Sequence, residues 1–319
     1  MFIVISMHKS PLRIICLGAL LLMSVSSFGQ DATLTAKWKS FDGAHFPYSK
    51  WIAKNGNAPR AVIIGVHGIS GAASDFSNLG SDLSQKGISV YAYELRGQGN
   101  DPDPERVGDL KDVQLWFSDL NSFISSVRKE IGSVPIFLYG ESLGSLILMH
   151  GFSEISEENK EQIKGMIYSS PLIALPGKLP PIKNLLVRTA MLLWPSYRVS
   201  LRSLSGGGES KVSEGEDHWE QMAKTKHYVP KFTLRILDTI ERMVFSSSEA
   251  ASKIKKPVLV LHPGKDIFTK PHEVDHFFNS LEAKDKSKKL FKESHHLLAF
   301  DKERDELFKI VFGWIKDRS

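Results

Sequence analysis

Apolar residues fall along this chain in two alternating rhythms. Near-continuous runs at Ala61 to Val66, Ser89 to Tyr93, Ile136 to Tyr139, Gly165 to Ser169 and Pro257 to Leu261 suit strands buried on both faces of a parallel sheet. Between them apolar residues recur every three or four positions, as the stripe of an amphipathic helix does. Such stripes are Phe76, Leu79 and Leu83; Val113, Trp116, Leu120, Phe123 and Val127; Val274, Phe277, Phe278 and Leu281; and Leu307, Val311 and Trp314. Trp38 to Phe41 and Phe46 to Trp51, joined at Asp42-Gly43, read as an opening hairpin, and Lys288 to Phe291 as a last short strand. Regular alternation of strand and helix predicts an α/β fold: a mostly parallel sheet with helices on both faces.

Residues 171–252 break the rhythm. They carry Pro176, Pro180, Pro181 and Pro195, an apolar run from Leu185 to Trp194, and Gly206-Gly207-Gly208, with no strand pattern. Such an insertion reads as a cap, or lid, over the active edge of the sheet. It divides the core into residues 30–170 and 253–319. The apolar surface of Leu185, Leu186, Met191, Leu192 and Trp194 exceeds what a solvated insertion needs, so these residues are expected to line an acyl channel or touch lipid transiently at a membrane surface. The lysines at 253, 255, 256, 284, 286, 288 and 289 are solvated faces and gatekeepers around strands.

The candidate chemistry sits where runs of the first kind end. Gly140-Glu141-Ser142-Leu143-Gly144 joins a strand to a helix by a sharp turn that presents the serine hydroxyl. A serine needs a base to take its proton and an acid to orient that base, and in open α/β sheets functional residues lie beyond the carboxyl ends of strands. Ser142, Asp266 and His296 each follow a predicted strand, in that order. His295 stands beside His296, and composition does not choose between them. Two backbone donors for an oxyanion are offered by Leu143 N–H, after the nucleophile, and Ile69 N–H, after His67-Gly68. His67 reads as a core histidine.

Taken together, His67-Gly68, Glu94-Leu95-Arg96-Gly97-Gln98-Gly99, Gly140 to Gly144, the Gly-x-Asp at 264–266 and the late His-Leu-Leu resemble the α/β-hydrolases of the monoacylglycerol lipase, lysophospholipase and serine aminopeptidase-like group. The opening Phe41-Asp42-Gly43 to Trp51 resembles that group's first hairpin, and the likeness spans the mature chain, weakest in the cap. It implies an α/β-hydrolase fold with a cap insertion and a serine hydrolase that cleaves carboxylic esters, of monoglyceride or lysophospholipid type, through an acyl-enzyme on Ser142 without cofactor or metal. It also favours His296 as the base, because His296-Leu297-Leu298 fits the family pattern better than His295-His296-Leu297. Glu141 and Gln98 depart from the resemblance, which often has histidine at both positions. Neither is a triad member, so pocket polarity is affected rather than chemistry. Monoglyceride, lysophospholipid, short ester and peptide all remain open as substrates.

Two readings compete. His272-Glu273-Val274-Asp275-His276 matches HExxH, the helix motif of zinc hydrolases. However, Pro271 puts it in a first helical turn, the extended pattern lacks its glycine at Asn279 and its histidine at Glu282, and Phe277, Phe278 and Leu281 make the segment a sheet-flanking helix. A non-enzymatic binding protein of the same fold is the other rival, and a complete triad argues against it.

Composition adds little: 319 residues, 42% hydrophobic and 24% charged, belong to an ordinary globular chain. The first thirty residues differ. Lys9 and Arg13 precede an apolar segment from Ile14 to Val25, and Ser27 and Gly29 supply small residues, the architecture of a cleaved signal peptide over residues 1–29. Met7 is an alternative start, and an uncleaved anchor is the alternative fate, although the segment is shorter than the roughly 18 residues a spanning helix wants. Cys16, the single cysteine, lies inside it, so the mature chain has no thiol and no disulfide. Loss of Lys9 and Arg13 lowers the formal charge from +5 to +3, too mild to imply a nucleic-acid partner. Export to the periplasm or medium is the expectation, and protein recovered from the cell envelope should begin at or near Gln30 by N-terminal sequencing. An intact Met1 or Met7 on a membrane-bound species would mean an anchor.

Overall fold

The structure, a computed structural model, describes residues 36–54, 58–175, 181–200 and 226–319. In chain order its strands are β1 (Ala36–Lys39), β2 (His45–Trp51), β3 (Ala61–Val66), β4 (Ile88–Tyr93), β5 (Ile136–Glu141), β6 (Ile163–Ser169), the two-residue β7 (Arg198–Val199) and β8 (Phe232–Thr233), β9 (Val258–Pro263) and β10 (Lys286–Phe291). Eight of them form one sheet in the order β1-β2-β4-β3-β5-β6-β9-β10. The β1–β2 and β2–β4 pairings are antiparallel and the rest parallel. This is the mostly parallel sheet that the sequence pattern predicts, and the opening hairpin is its antiparallel edge.

The apolar strands are continuous because each divides its side chains between two cores. Val62, Ile64 and Val66 of β3 face one side with α2 (Gln114–Ile131), α3 (Leu143–Gly151) and the helix Pro271–Ser280; Ala61 and Ile63 face the other with α1 (Ser77–Gln85) and the last helix, Arg304–Lys316. Each fully buried Val, Leu, Ile or Phe contributes about 1.5–3 kcal/mol. The stripes therefore land as predicted: Trp116, Leu120 and Phe123 in the first core, Leu79, Leu83, Leu307 and Val311 in the second. β10, at the edge, carries Lys286, Lys288 and Lys289, which discourage pairing with another chain.

Between β6 and β9 the chain leaves this sheet. Its described parts are α5 (Pro181–Leu193), the β7–β8 ladder, and two consecutive helices, Leu234–Phe245 and Ser247–Ser252. The ladder departs from the expectation of no strand in this region; two residues are too short to leave a period-2 signal. α4 (Glu157–Gln162) is likewise unexpected, being short and polar; Ser156 caps it by accepting the Asn159 N–H. The β8 end of the insertion is tied to the core, with Thr233 N–H donating to Gly108 O at 2.8 Å and Arg235 paired with Asp109. The expected leader at 1–29, Pro176, Pro180 and the Gly206-Gly207-Gly208 stretch lie outside the described residues. Among the described residues no helix is long and apolar enough to cross a membrane.

One buried ionic knot fixes the loop after β4. Arg96 donates to both Asp119 oxygens at 2.9 Å, pairs with Asp42 at 2.8 Å and lies over the Phe46 ring, while its carbonyl accepts the Trp116 indole N–H. Asp119 is closed to solvent, and Ser40 is its other donor. Arg96→Ala should therefore destabilise the fold by about 3–5 kcal/mol, because it leaves an uncompensated buried carboxylate. Urea unfolding checks this, and a loss below about 1 kcal/mol would show the knot to be dispensable.

Candidate active site

The turn after β5 is shaped by what cannot fit beside it. A Cβ on Gly140 would lie 2.6 Å from backbone atoms of Gly144 and Ser145, and one on Gly144 would overlap the Val66 carbonyl of β3. Only glycine lets α3 start this close to two strands. Ser142 between them takes φ 52° and ψ −114°, a conformation rare for a side-chain-bearing residue. Ser145 Oγ locks the turn from inside by donating to Gly140 O at 2.7 Å. The loop after β3 presses on the serine from the other side, where a Cβ on Gly68 would sit 3.3 Å from Ser142 Cβ.

That loop carries Ile69, and four hydrogen bonds hold it. His67 is fully buried; its Nδ1 donates to Gly68 O at 2.9 Å and its Nε2 accepts Leu95 N–H at 3.1 Å. Burial drives its pKa down to about 3, so the ring is neutral and fixed in one tautomer. Gln98 Oε1 accepts Ser70 N–H at 2.7 Å, and Ser70 Oγ in turn accepts Val229 N–H at 3.0 Å from the insertion. His67 is thus the core histidine its position suggests. Gln98 and Ser70 were not legible as supports, since nothing in their spacing points across 28 residues to the bond they share. Leu143, buried at the start of α3, has one of the helix's N-terminal amides, which lack intrahelical partners.

The loops after β9 and β10 bring an acid and a base together. His296 Nδ1 stands 3.0 and 3.1 Å from the two Asp266 oxygens, and the side chains are 5% and 0% exposed. Facing a carboxylate, Nδ1 carries the proton and Nε2 is left as the acceptor. Asp266 is also aligned by Phe268 N–H at 2.8 Å, and the Phe268 ring lies edge-on to the imidazole. Burial alone would pull the His296 pKa down, but the charge and hydrogen bond of Asp266, with Glu141 adding, raise it above its ordinary value. Burial would push Asp266 up, and His296 together with Phe268 N–H brings it below the usual carboxylate range.

His295 points elsewhere, with its Nδ1 and its backbone N–H both on Asp301 at 2.9 and 2.7 Å. Ser142 Oγ is not hydrogen-bonded to His296 in this structure, an arrangement common before substrate binds. Glu141, the last residue of β5, is 5% exposed. Burial, reinforced by Asp75, pushes its carboxyl up to about 8. The HExxH residues are not assembled for metal. His272 and His276 are exposed on their helix, Glu273 accepts Lys270 N–H at 2.7 Å as a cap, and no group of three ligand side chains forms among the described residues.

Known proteins resemble the chain along most of its length. A phospholipase of Bacillus subtilis is 26% identical over 79% of this chain and 93% of its own length. The monoglyceride lipase of Saccharomyces cerevisiae is 25% identical over 88% of this chain and 91% of its own. A solved structure of a soluble variant of monoglyceride lipase from the same yeast, in complex with a substrate analog, superposes with a TM-score of 0.75 at 22% identity, covering 90% of this chain and 96% of that one; at that identity the likeness concerns the fold. The family model described as serine aminopeptidase, S33, matches residues 57–303. The chain therefore belongs to the serine aminopeptidase, S33, family and is an α/β-hydrolase similar to monoglyceride lipases.

Proposed function

We propose that the protein hydrolyses carboxylic esters of lipid-like substrates, a monoglyceride or lysophospholipid, through an acyl-enzyme on Ser142. The observation that carries the reading is the buried His296–Asp266 pair, formed at strand ends of the same sheet whose central strand delivers a serine in a left-handed turn. Ser142 Oγ attacks the ester carbonyl while His296 Nε2 takes its proton, and the developing oxyanion is received by Leu143 and Ile69 N–H, each worth on the order of 3 kcal/mol. His296 then gives the proton to the departing alkoxide. In the second half water attacks the acyl-enzyme by the same route and releases the acid, regenerating the serine. Asp266 holds the imidazole tautomer and balances its charge.

Lipid-like substrates are supported by the names of the relatives and by the insertion. Leu185, Leu186, Leu192 and Trp194 on and after α5 are 61–79% exposed, which favours contact with a lipid surface over an enclosed acyl channel. Residues 171–252 then act as a cap that meets the substrate's own aggregate.

The triad is tested by substitution. His296→Ala should lose on the order of 10⁴–10⁶ in kcat while remaining folded and His295→Ala about tenfold at most; the reverse ranking would move the base by one residue. A fluorophosphonate should label Ser142 and not Ser142→Ala. In the same assay kcat/KM should fall as pH drops through the raised His296 pKa, because the protonated imidazole accepts no proton; a limb lying below the ordinary histidine range would contradict the pairing with Asp266. The cap is tested by Leu186→Gln with Leu192→Gln: hydrolysis of a long-chain monoglyceride in vesicles should drop several-fold while hydrolysis of a water-soluble short ester is unchanged. Equal effects on both substrates would sink the surface role.

A further inference from the structure

Three consecutive residues at the end of β6 each hold a different part of the site, and the chemistry above gives none of them a role. The Ser169 carbonyl accepts the Ser142 N–H at 3.0 Å. Ser170 Oγ donates to the His296 carbonyl at 2.5 Å. The Pro171 carbonyl accepts from Thr269 Oγ1 at 3.1 Å, and Thr269 lies three residues beyond Asp266 in the same loop. Ser170 N–H also donates to Leu261 O at 2.8 Å on β9, the strand that leads to Asp266.

Ser170 is the centre of this set. It is fully buried and takes φ 45°, in the left-handed region where glycine would sit without strain. A serine here gains what glycine lacks, a hydroxyl, and that hydroxyl is spent on the base's main chain. The Asp266 bond fixes His296 only at Nδ1, so imidazole and carboxylate could still rock together. Holding the His296 peptide removes that freedom, and the backbone of Ser142 hangs from the preceding residue.

We propose that Ser170 is a positioning residue for the hydrolytic reaction. Its hydroxyl fixes the His296 loop, while Ser169 and Pro171 fix the nucleophile's turn and the acid's loop, so the mutual register of the three reacting side chains is set from one strand end. The inference rests on the catalytic assignment above. It is distinguishable from mere support because Ser170 acts through His296.

The test measures kcat, KM and thermal unfolding of Ser170→Ala and Ser170→Gly on a water-soluble p-nitrophenyl ester, in the wild-type and in the His296→Ala background. A reacting group displaced by about 1 Å costs on the order of 100-fold, so kcat should fall about 10- to 100-fold with KM within about twofold. In His296→Ala the same substitutions should cost nothing further, since there is no base left to misplace. If Ser170→Ala does not fold, Ser170→Gly, which relieves the backbone while removing the hydroxyl, carries the same comparison. Unchanged kcat in an otherwise normal background, or an equal loss in both backgrounds, overturns the positioning role alone. A fully active His296→Ala overturns the catalytic assignment, and this role with it.

Discussion

Everything in the site hangs on how closely α3 approaches the ends of β3 and β5. The absence of side chains at Gly140 and Gly144 lets the helix start against the Val66 carbonyl, and that contact leaves Ser142 no ordinary backbone conformation. A side chain at either glycine would push the helix outward, and the serine would relax into a packed turn. The same approach brings Gly68 against the serine, so Ser142 and the loop carrying Ile69 are set by one steric condition rather than by two separate ones.

Left-handed backbone at non-glycine residues occurs among the described residues at three places only, Ser70, Ser142 and Ser170. Each lies just beyond the carboxyl end of a strand, and the three strands, β3, β5 and β6, are neighbours in the sheet. Strain of this kind persists only where surrounding structure over-determines it, and here the surroundings are explicit hydrogen bonds: Gln98 and Val229 to Ser70, Ser169 to Ser142, Leu261 and His296 to Ser170. The rigid sheet beneath, covered on both faces, supplies the stiffness.

Burial and neighbours then separate groups of identical chemistry into different tasks. His67, without a carboxylate in hydrogen-bond contact, is held neutral by desolvation; His262 on β9 is likewise driven down, to about 4. His296 is just as buried, yet Asp266 outweighs the desolvation and raises it. Among carboxyls, Asp266 is brought below its usual range by His296 and a backbone amide, while Glu141, with burial opposed only by His296, is pushed up to about 8. The His296–Asp266 pair is marked by opposite shifts in adjoining groups, which is the arrangement general acid–base chemistry needs.

The alternation of apolar runs and helical stripes by itself determined the fold class, because continuous Val and Ile runs have few ways to be buried except in a parallel sheet covered on both faces. Strand ends followed by Ser142, Asp266 and His295-His296 then located the candidate chemistry, since in such a sheet those ends converge. Short polar pieces were not legible: α4 and the β7–β8 ladder carry too few residues for any period to register. Nor could sequence choose between the two histidines from their surroundings, as adjacent loop residues share composition and spacing. Their partners differ only in the tertiary structure, Asp301 at His295 and Asp266 at His296, which come from different loops. The supports from Gln98, Ser70 and Ser170 were decided there as well. Each is a hydrogen bond between segments 28 to 159 positions apart, and a single polar contact over such distances leaves no local pattern; it exists only once the sheet has brought the loops to one edge.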